Sequence, residues 1–151
     1  MLITGTRTGI GKYLAEYYVN RGFQILGCSR KPVDYALPDY QHFCLDICDE
    51  GKVIQMFTEI SQKYGRLDIL INNAGIALMN HMLITSIASA REIFNTNVIG
   101  TFLFCREAAR IMKKYRYGRI VNFTTIATPL KIEGESIYAS SKAAVINLTE
   151  I

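Results

Sequence analysis

The glycine-rich turn behind the first apolar run of the chain constrains its fold more than any other feature. Residues 1–4 predict a short strand, and a helix is predicted over about 10–20, closed by Gly22. The turn between them has the spacing Gly-x-x-x-Gly-x-Gly, formed by Gly5, Gly9 and Gly11. Glycines at such a turn allow a tight bend and the close approach of a pyrophosphate, whose charge is met by the helix N-terminus. The turn therefore predicts a nucleotide site, with a purely structural turn as the alternative.

The rest of the chain alternates apolar, strand-like runs with helical patterns, which is typical of a parallel α/β sheet. The length fits one domain, 1–151. Four further strands are predicted over 23–28, 41–45, 67–71 and 119–123. Helices are predicted from a cap at Asp49 to about Tyr64 with Gly65 as the stop, over about 89–115 with an interruption considered near 97–100, and through Tyr138 and Lys142 to the end of the chain.

Charge and hydropathy exclude several classes of partner. The net charge of +4 is scattered along the chain, and only short runs such as 113–116 concentrate positive charge, so nucleic-acid binding is not expected. No apolar stretch approaches the ~18 residues of a membrane span, and no basic leader precedes an apolar run. The expected location is cytoplasmic, with no membrane partner.

Neither cysteines nor histidines form a pattern that predicts a metal site. The four cysteines lack the paired spacing of zinc sites, and free thiols are expected at Cys28, Cys44, Cys48 and Cys105. His42 and His81 are far apart in sequence and have no ligand-like neighbours, so neither is given a role. No metal is predicted.

The residues that end the second predicted strand discriminate between two dinucleotides. An acidic residue at this point would bind the adenosine ribose hydroxyls of NAD. This chain instead has Ser29, Arg30 and Lys31, and no carboxylate until Asp34. A guanidinium and an ammonium suit a 2′-phosphate, which favours NADP over NAD. The alternative is that both cations only solvate a loop.

Tyr138 and Lys142 are four residues apart, about one helical turn, so both side chains project from one helix face. A free phenol titrates near pH 10, and a lysine cation beside it favours the ionised form. Such a pair suits proton transfer to or from a carbonyl or alcohol oxygen. Taken alone the pattern is weak, because tyrosine and lysine at this spacing are common on solvated helices.

Five motifs occur in order between Leu2 and Ile151, and together they resemble the short-chain dehydrogenase/reductase family of the short, single-domain type. They are the glycine turn, Leu45-Asp46-Ile47, Asn72-Asn73-Ala74-Gly75, Asn97-x-x-Gly100 and Tyr138-x-x-x-Lys142. The resemblance implies a Rossmann-like, doubly wound parallel sheet with strand order 3-2-1-4-5. It also implies that the chain is truncated at its C-terminal end, lacks the last two strands of the family and leaves the fifth strand as an open edge.

The resemblance implies two sets of site residues. Those expected to bind the cofactor are Gly5, Thr6, Arg7, Gly9, Ile10, Gly11, Ser29, Arg30, Asp46, Ile47, Asn73, Ala74, Gly75, Tyr138 and Lys142. Those expected to be catalytic are Asn97, Thr125, Tyr138 and Lys142. Asparagines at a strand end also often do no more than satisfy backbone groups, which is the alternative for Asn73.

Each implied catalytic residue has its own expected role. Tyr138 would be the general acid in carbonyl reduction and the base in alcohol oxidation, while Lys142 would hydrogen-bond the nicotinamide ribose. Asn97 would kink the long helix and hold a water that relays protons to Lys142. The family usually has a serine thirteen residues before the tyrosine, where this chain has Thr125. Its hydroxyl can still polarise a substrate oxygen, and its methyl predicts a tighter pocket. Thr124 is expected on the opposite face.

The implied function is an NADP-dependent oxidoreductase that interconverts a ketone and a secondary alcohol. Its partner would be a small-molecule carbonyl or alcohol substrate, and the full-length family implies a homo-oligomer. A 3-oxoacyl thioester, a sugar-derived ketone and a steroid all remain open as substrates. The alternative is a non-catalytic nucleotide-binding module, or an inactive fragment of such an enzyme.

Overall fold

The computed structural model describes residues 1–151 as a five-stranded parallel sheet with helices on both faces. The strand order is β3-β2-β1-β4-β5, so the predicted doubly wound sheet and its order are confirmed. The strands are β1 (Leu2–Thr4), β2 (Ile25–Ser29), β3 (Tyr40–Cys44), β4 (Ile69–Asn72) and β5 (Arg119–Asn122). The helices are α1 (Gly9–Val19), α2 (Glu50–Tyr64), α3 (Ile87–Phe94), α4 (Thr101–Tyr115), α5 (Ala127–Leu130) and α6 (Ser136–Glu150).

Successive residues of the central strands pack into two separate cores, because side chains alternate across a sheet. On one face, Leu2 and its neighbours pack under α2 and α4, where Phe57 and Phe104 meet edge to face at 5.5 Å. On the other face, Ile3 packs against Ala15 of α1. Both faces of the sheet are thus covered, as the nearly continuous apolar strands require.

Helix ends follow the sequence signals closely. The Asp49 side chain accepts a hydrogen bond from the Lys52 backbone N–H at 3.1 Å and so caps α2. Gly65 ends the same helix in the left-handed region at φ +71°. The second strand begins at Ile25, later than the predicted residue 23. The Phe23 backbone N–H bonds to the Tyr18 carbonyl, so Phe23 lies in the turn that ends α1.

The predicted long helix is divided by a π-helical segment, Asn95–Gly100, that joins α3 to α4. This confirms the interruption considered near 97–100. The helix passes so close to Ile47 that a side chain at Gly100 would lie 2.7 Å from the Ile47 Cδ1 atom. Two short elements lack a signal in the sequence, a 3₁₀ turn at Met82–Ile84 and helix α5. No helix has the length and apolar character needed to cross a membrane.

Candidate active site

A cleft of about 730 Å³ opens at the carboxyl ends of β1, β2 and β4. This is the switch point of the sheet, where consecutive connections leave toward opposite edges and where ligands bind in open α/β folds. Nine of its fifteen lining residues are among the predicted cofactor residues: Gly5, Arg7, Ser29, Arg30, Asp46, Ile47, Asn73, Ala74 and Gly75. The prediction missed Thr8, Cys28, Leu45, Ile76 and Thr96, which line the cleft beside predicted motifs, while Lys31 was noted only for its charge.

The glycine turn brings the start of α1 against the end of β4. Gly5 has φ +74° and Gly9 has φ +60°, both in the region that side chains disfavour. A Cβ atom at Gly11 would overlap the Gly5 carbonyl oxygen and lie 2.6 Å from the Asn73 Nδ2 atom. The Thr8 side chain makes no capping hydrogen bond, so the first N–H groups of α1 are available to an anion.

Asn73 ties this turn to the loop that follows β4. Its Nδ2 donates to the Thr4 carbonyl at 2.9 Å, and its backbone N–H donates to the Thr4 hydroxyl at 3.0 Å. The Ala74 N–H donates to the same hydroxyl at 2.9 Å. The Asn73 amide thus satisfies backbone groups, which was the alternative role considered for it. By doing so it holds the cleft wall in place.

The cleft is strongly basic. Arg7, Arg30 and Lys31 line it, with Asp46 as the carboxylate among its lining residues. None of these three cations lies within ion-pair distance of a carboxylate. Their charges are therefore free to meet an anionic ligand.

Three groups of predicted residues lie outside the lining of the cleft. The Thr6 side chain is fully buried and bonds to the Tyr40 hydroxyl at 2.8 Å, so the structure does not bring it to the cleft. The remaining cofactor residues of the turn, Gly9, Ile10 and Gly11, form the first turn of α1 and do not line the cleft. Of the four predicted catalytic residues, Asn97 and Lys142 lie next to the cleft, since a Cβ atom at Gly75 would be 3.1 Å from the Asn97 Oδ1 atom and 3.5 Å from the Lys142 Nζ atom.

Lys142 lies between helix α6 and the cleft wall at Gly75. It projects from α6 one turn after the half-buried Tyr138, and its ammonium donates to the Phe123 carbonyl at 2.8 Å. A Cβ atom at Gly75 would lie only 3.5 Å from the Lys142 Nζ atom, so the ammonium adjoins the cleft wall. Burial lowers the pKa of Lys142. The Tyr138 hydroxyl makes no hydrogen bond to the protein and is available to a ligand.

Asn97 is fully buried within the π-helical segment and connects three elements. Its Oδ1 accepts from the Ile76 N–H at 2.9 Å, and its Nδ2 donates to the Ile76 carbonyl at 2.9 Å. The same Nδ2 donates to the Ser141 hydroxyl at 3.0 Å, next to Lys142. Asn97 therefore fixes α6 to the loop after β4, a position that its motif alone did not reveal. The relay water predicted at Asn97 stays a prediction.

Thr125 lies in the segment between β5 and α5. Its Oγ1 accepts from the Ala127 N–H at 3.2 Å, which leaves its hydroxyl proton available. Thr125 is half-buried while Thr124 is exposed. The placement of Thr124 on the opposite face stays a prediction.

Replacement of Lys142 by methionine should leave the thermal stability at pH 7 unchanged or slightly raised. The change removes a buried ammonium, whose desolvation costs several kcal/mol, and it loses a charged hydrogen bond to Phe123 of about 1.5–3 kcal/mol. Since the pKa of Lys142 is lowered in the folded state, the unfolded chain binds more protons just below pH 10.5. Wild-type stability should therefore rise relative to the variant as pH climbs toward that value.

Thermal unfolding followed by circular dichroism at several pH values measures both effects. Lys114→Met, at an exposed position of α4, is the control and should show no such rise. A marked loss of stability in Lys142→Met at pH 7 would contradict a net cost of burying the ammonium at this site.

Residues 1–151 match the short chain dehydrogenase family. A 3-ketodihydrosphingosine reductase of Bacteroides thetaiotaomicron is 31% identical over 150 residues, covering 99% of this chain and 55% of the relative. A 3-oxoacyl-acyl-carrier-protein reductase FabG of Vibrio cholerae is 30% identical over 155 residues, covering 99% of this chain and 64% of the relative. The chain thus spans between half and two thirds of the length of these curated relatives.

Solved structures agree with this match. ElxO with NADP bound has a TM-score of 0.92 and 32% identity, covering 97% of this chain and 63% of that one. The ligand-free aldohexose dehydrogenase of Thermoplasma acidophilum has a TM-score of 0.91 and 30% identity, covering 98% of this chain and 58% of that one. Since sequence and fold match along the whole chain, this protein belongs to the short-chain dehydrogenase family.

Proposed function

We propose that the chain binds NADP and acts in an oxidoreductase that interconverts a ketone and a secondary alcohol. One observation carries this proposal: Gly75 lines the basic cleft and adjoins Lys142, whose Nζ atom would lie 3.5 Å from a Cβ atom at Gly75. A site for a charged dinucleotide is thereby joined to a pair suited to proton transfer. The reductases among its relatives and the NADP-bound ElxO structure support the proposal.

The residues of the cleft fit a phosphorylated dinucleotide. Gly5 lies at positive φ, and a Cβ atom at Gly11 would overlap backbone, so the turn is shaped for close approach to the start of α1. The N–H groups of that helix would meet the pyrophosphate. Arg30 and Lys31 would meet the 2′-phosphate, and Gly75 would border the nicotinamide end. When bound, NADP supplies or accepts the hydride.

The side chains next to Gly75 would handle the proton and orient the substrate. Tyr138 would donate its phenolic proton to the substrate oxygen in reduction and accept it in oxidation. Lys142 adjoins the Gly75 wall, where it would hold the nicotinamide ribose and stabilise the phenolate that forms. The free proton of the Thr125 hydroxyl would polarise the same substrate oxygen.

Asn97 would act through these residues without touching the substrate. Its amide fixes Ile76, directly after Gly75, and Ser141, directly before Lys142. One buried side chain would therefore link the cofactor wall to the helix that carries Lys142. Asn97 is a positioning residue in this proposal.

Titration of the purified chain with NADPH and with NADH tests the cofactor half of the proposal. The fluorescence of the nucleotide is the signal, and the absence of tryptophan keeps the protein background low. Saturable binding that is tighter for NADPH supports the proposal, and binding of neither nucleotide contradicts it. A panel of ketones added to the NADPH complex, followed by nicotinamide absorbance, tests the redox half.

Arg30→Ala should weaken NADPH binding by about 10- to 100-fold, because a hydrogen bond to a charged group contributes about 1.5–3 kcal/mol. NADH affinity should change little, since NADH lacks the 2′-phosphate. Both dissociation constants can be measured by the same fluorescence titration. Arg21→Ala, at an exposed arginine after α1, is the matched control and should match the wild type. Equal losses for both nucleotides would contradict a 2′-phosphate site at Arg30.

A second candidate is a nucleotide-binding module without catalysis. It is favoured by large apolar side chains that lie exposed in the segments after β4 and β5, because exposed apolar patches are typical of interaction surfaces. They are Met79, Leu83, Ile84, Ile126 and Leu130. The catalytic set itself favours the enzyme, because nucleotide binding alone would not need Tyr138. NADPH binding without turnover of any ketone would favour the module.

A further inference from the structure

A line of hydrogen bonds runs beneath the cleft from the glycine turn to the end of β2. The Thr6 Oγ1 and Tyr40 Oη atoms are 2.8 Å apart, and Tyr40 Oη is 2.8 Å from His42 Nδ1. His42 Nε2 is 3.0 Å from Ser29 Oγ and 3.3 Å from the Lys31 carbonyl. The Ser29 hydroxyl donates to that carbonyl at 2.7 Å. Tyr40 and His42 both belong to β3, so the edge strand supplies the middle of this line.

The Lys31 carbonyl at the end of the line determines which atom donates in each of its hydrogen bonds. The Lys31 carbonyl can only accept, so the Ser29 hydroxyl uses its proton there and must accept from His42 Nε2. The neutral imidazole then carries its proton on Nε2, and Nδ1 accepts from the Tyr40 hydroxyl. Thr6 in turn donates to Tyr40. Burial lowers the pKa of His42, which favours this neutral imidazole.

The line of hydrogen bonds needs a glycine at position 27. Gly27 of β2 lies beneath it, and a Cβ atom there would overlap the Tyr40 hydroxyl and crowd the Thr6 hydroxyl. Tyr35 adds a further bond, since its hydroxyl donates to the Thr6 carbonyl at 2.6 Å. Thr6 is fully buried, and the line is therefore part of the protein interior at one end and of the cleft wall at the other.

The line ends on the segment that carries the phosphate-binding cations. Ser29, Arg30 and Lys31 all line the cleft. A loop held in its binding conformation before the ligand arrives loses less entropy on binding, so its affinity is higher. Bonds from one imidazole to both Ser29 and Lys31 hold the residues on either side of Arg30.

We infer that His42 is a positioning residue that sets the preference for NADP over NAD, through the two bonds of its Nε2–H to the segment 29–31. The inference rests on the proposed NADP site. On this inference, the preference for a 2′-phosphate depends on a residue of β3 as well as on the basic residues that would contact the phosphate. Tyr40 and Thr6 secure the imidazole from the side of the glycine turn.

Two substitutions at His42 distinguish the contributions of its two ring nitrogens. Glutamine places an amide N–H near the position of Nε2 and keeps a donor for Ser29, whereas asparagine reaches only the position of Nδ1 and keeps the contact with Tyr40. His42→Asn should weaken NADPH binding about tenfold, because the segment 29–31 must then be ordered when the nucleotide binds, and change NADH binding less than about twofold. His42→Gln should retain the wild-type ratio of the two affinities.

Fluorescence titrations with both nucleotides, with a thermal unfolding curve for each variant, carry out the test. Equal weakening of NADPH and NADH by His42→Asn, or loss of the ratio in His42→Gln, would overturn the inference. Wild-type affinity of His42→Asn for both nucleotides would overturn it while leaving the proposed NADP site intact. Wild-type protein that binds neither nucleotide would overturn the proposed function and this inference together.

A measurement on the wild type keeps the inference testable if a variant does not fold. The ¹⁵N spectrum of the imidazole should show the Nε2–H tautomer of His42 at neutral pH. NADPH should perturb its Nε2 resonance more than NADH does. An Nδ1–H tautomer, or equal responses to both nucleotides, would overturn the inference.

Discussion

Gly11→Ala should abolish NADPH binding and lower the free energy of unfolding by about 3 kcal/mol or more. The added methyl group would overlap the Gly5 carbonyl oxygen and lie 2.6 Å from the Asn73 amide nitrogen. Overpacking costs about 1–3 kcal/mol where side chains can move aside, and the obstacle here is the backbone of the turn. Relief requires α1 to move away from β4, which opens the cleft wall where a pyrophosphate would lie.

Gly51→Ala is the matched control for this substitution. Gly51 lies in the first turn of α2, where an added Cβ atom would meet only the Asp49 side chain at 3.5 Å. Alanine there should stabilise the protein by up to about 1 kcal/mol through its higher helix propensity. Urea unfolding and NADPH titration of both variants make the comparison. Normal binding by Gly11→Ala would contradict the close approach of α1 to the turn.

Tyr138→Phe should lower ketone reduction by about 10²- to 10⁴-fold, the contribution of a positioned general acid. NADPH affinity and thermal stability should stay near the wild-type values, because the Tyr138 hydroxyl makes no hydrogen bond within the protein. The loss should therefore appear in the rate of the bound complex rather than in its formation. Steady-state kinetics with a ketone that the wild type reduces, together with NADPH titration, distinguishes the two.

Tyr117→Phe, at an exposed tyrosine after α4, controls for removal of a phenol and should retain full activity. Unchanged turnover in Tyr138→Phe would eliminate the proposed proton transfer. A wild type that binds NADPH but reduces no ketone would instead favour the nucleotide-binding module.

The parts of the site that sequence reasoning found are those encoded by local patterns. The glycine turn, the cap at Asp49 and the basic residues after β2 each follow from a few neighbouring residues, and the family resemblance supplied the strand order. The cleft could be assembled from them because the carboxyl ends of parallel strands meet at one edge of the sheet.

The parts that it missed depend on contacts between distant segments. Thr6 is in the predicted motif, yet its side chain bonds to Tyr40, 34 residues away, and so faces away from the cleft. His42 had no ligand-like neighbours in sequence, and only the register of β3 beside β2 brings it to Ser29. Phe23 fits the pattern of a strand, but its backbone N–H bonds to the Tyr18 carbonyl in the turn that ends α1.

The buried amide of Asn97 has a consequence for how a shift of α6 would spread through the site. It joins Ile76, 21 residues before it, to Ser141, 44 residues after it. A buried polar group that loses its hydrogen-bond partner costs about 1–3 kcal/mol. A movement of α6 away from the loop after β4 is therefore opposed at Asn97. Lys142 and the wall at Gly75 are in this way mechanically coupled, so a substitution that displaces α6 should disturb nucleotide binding and proton transfer together.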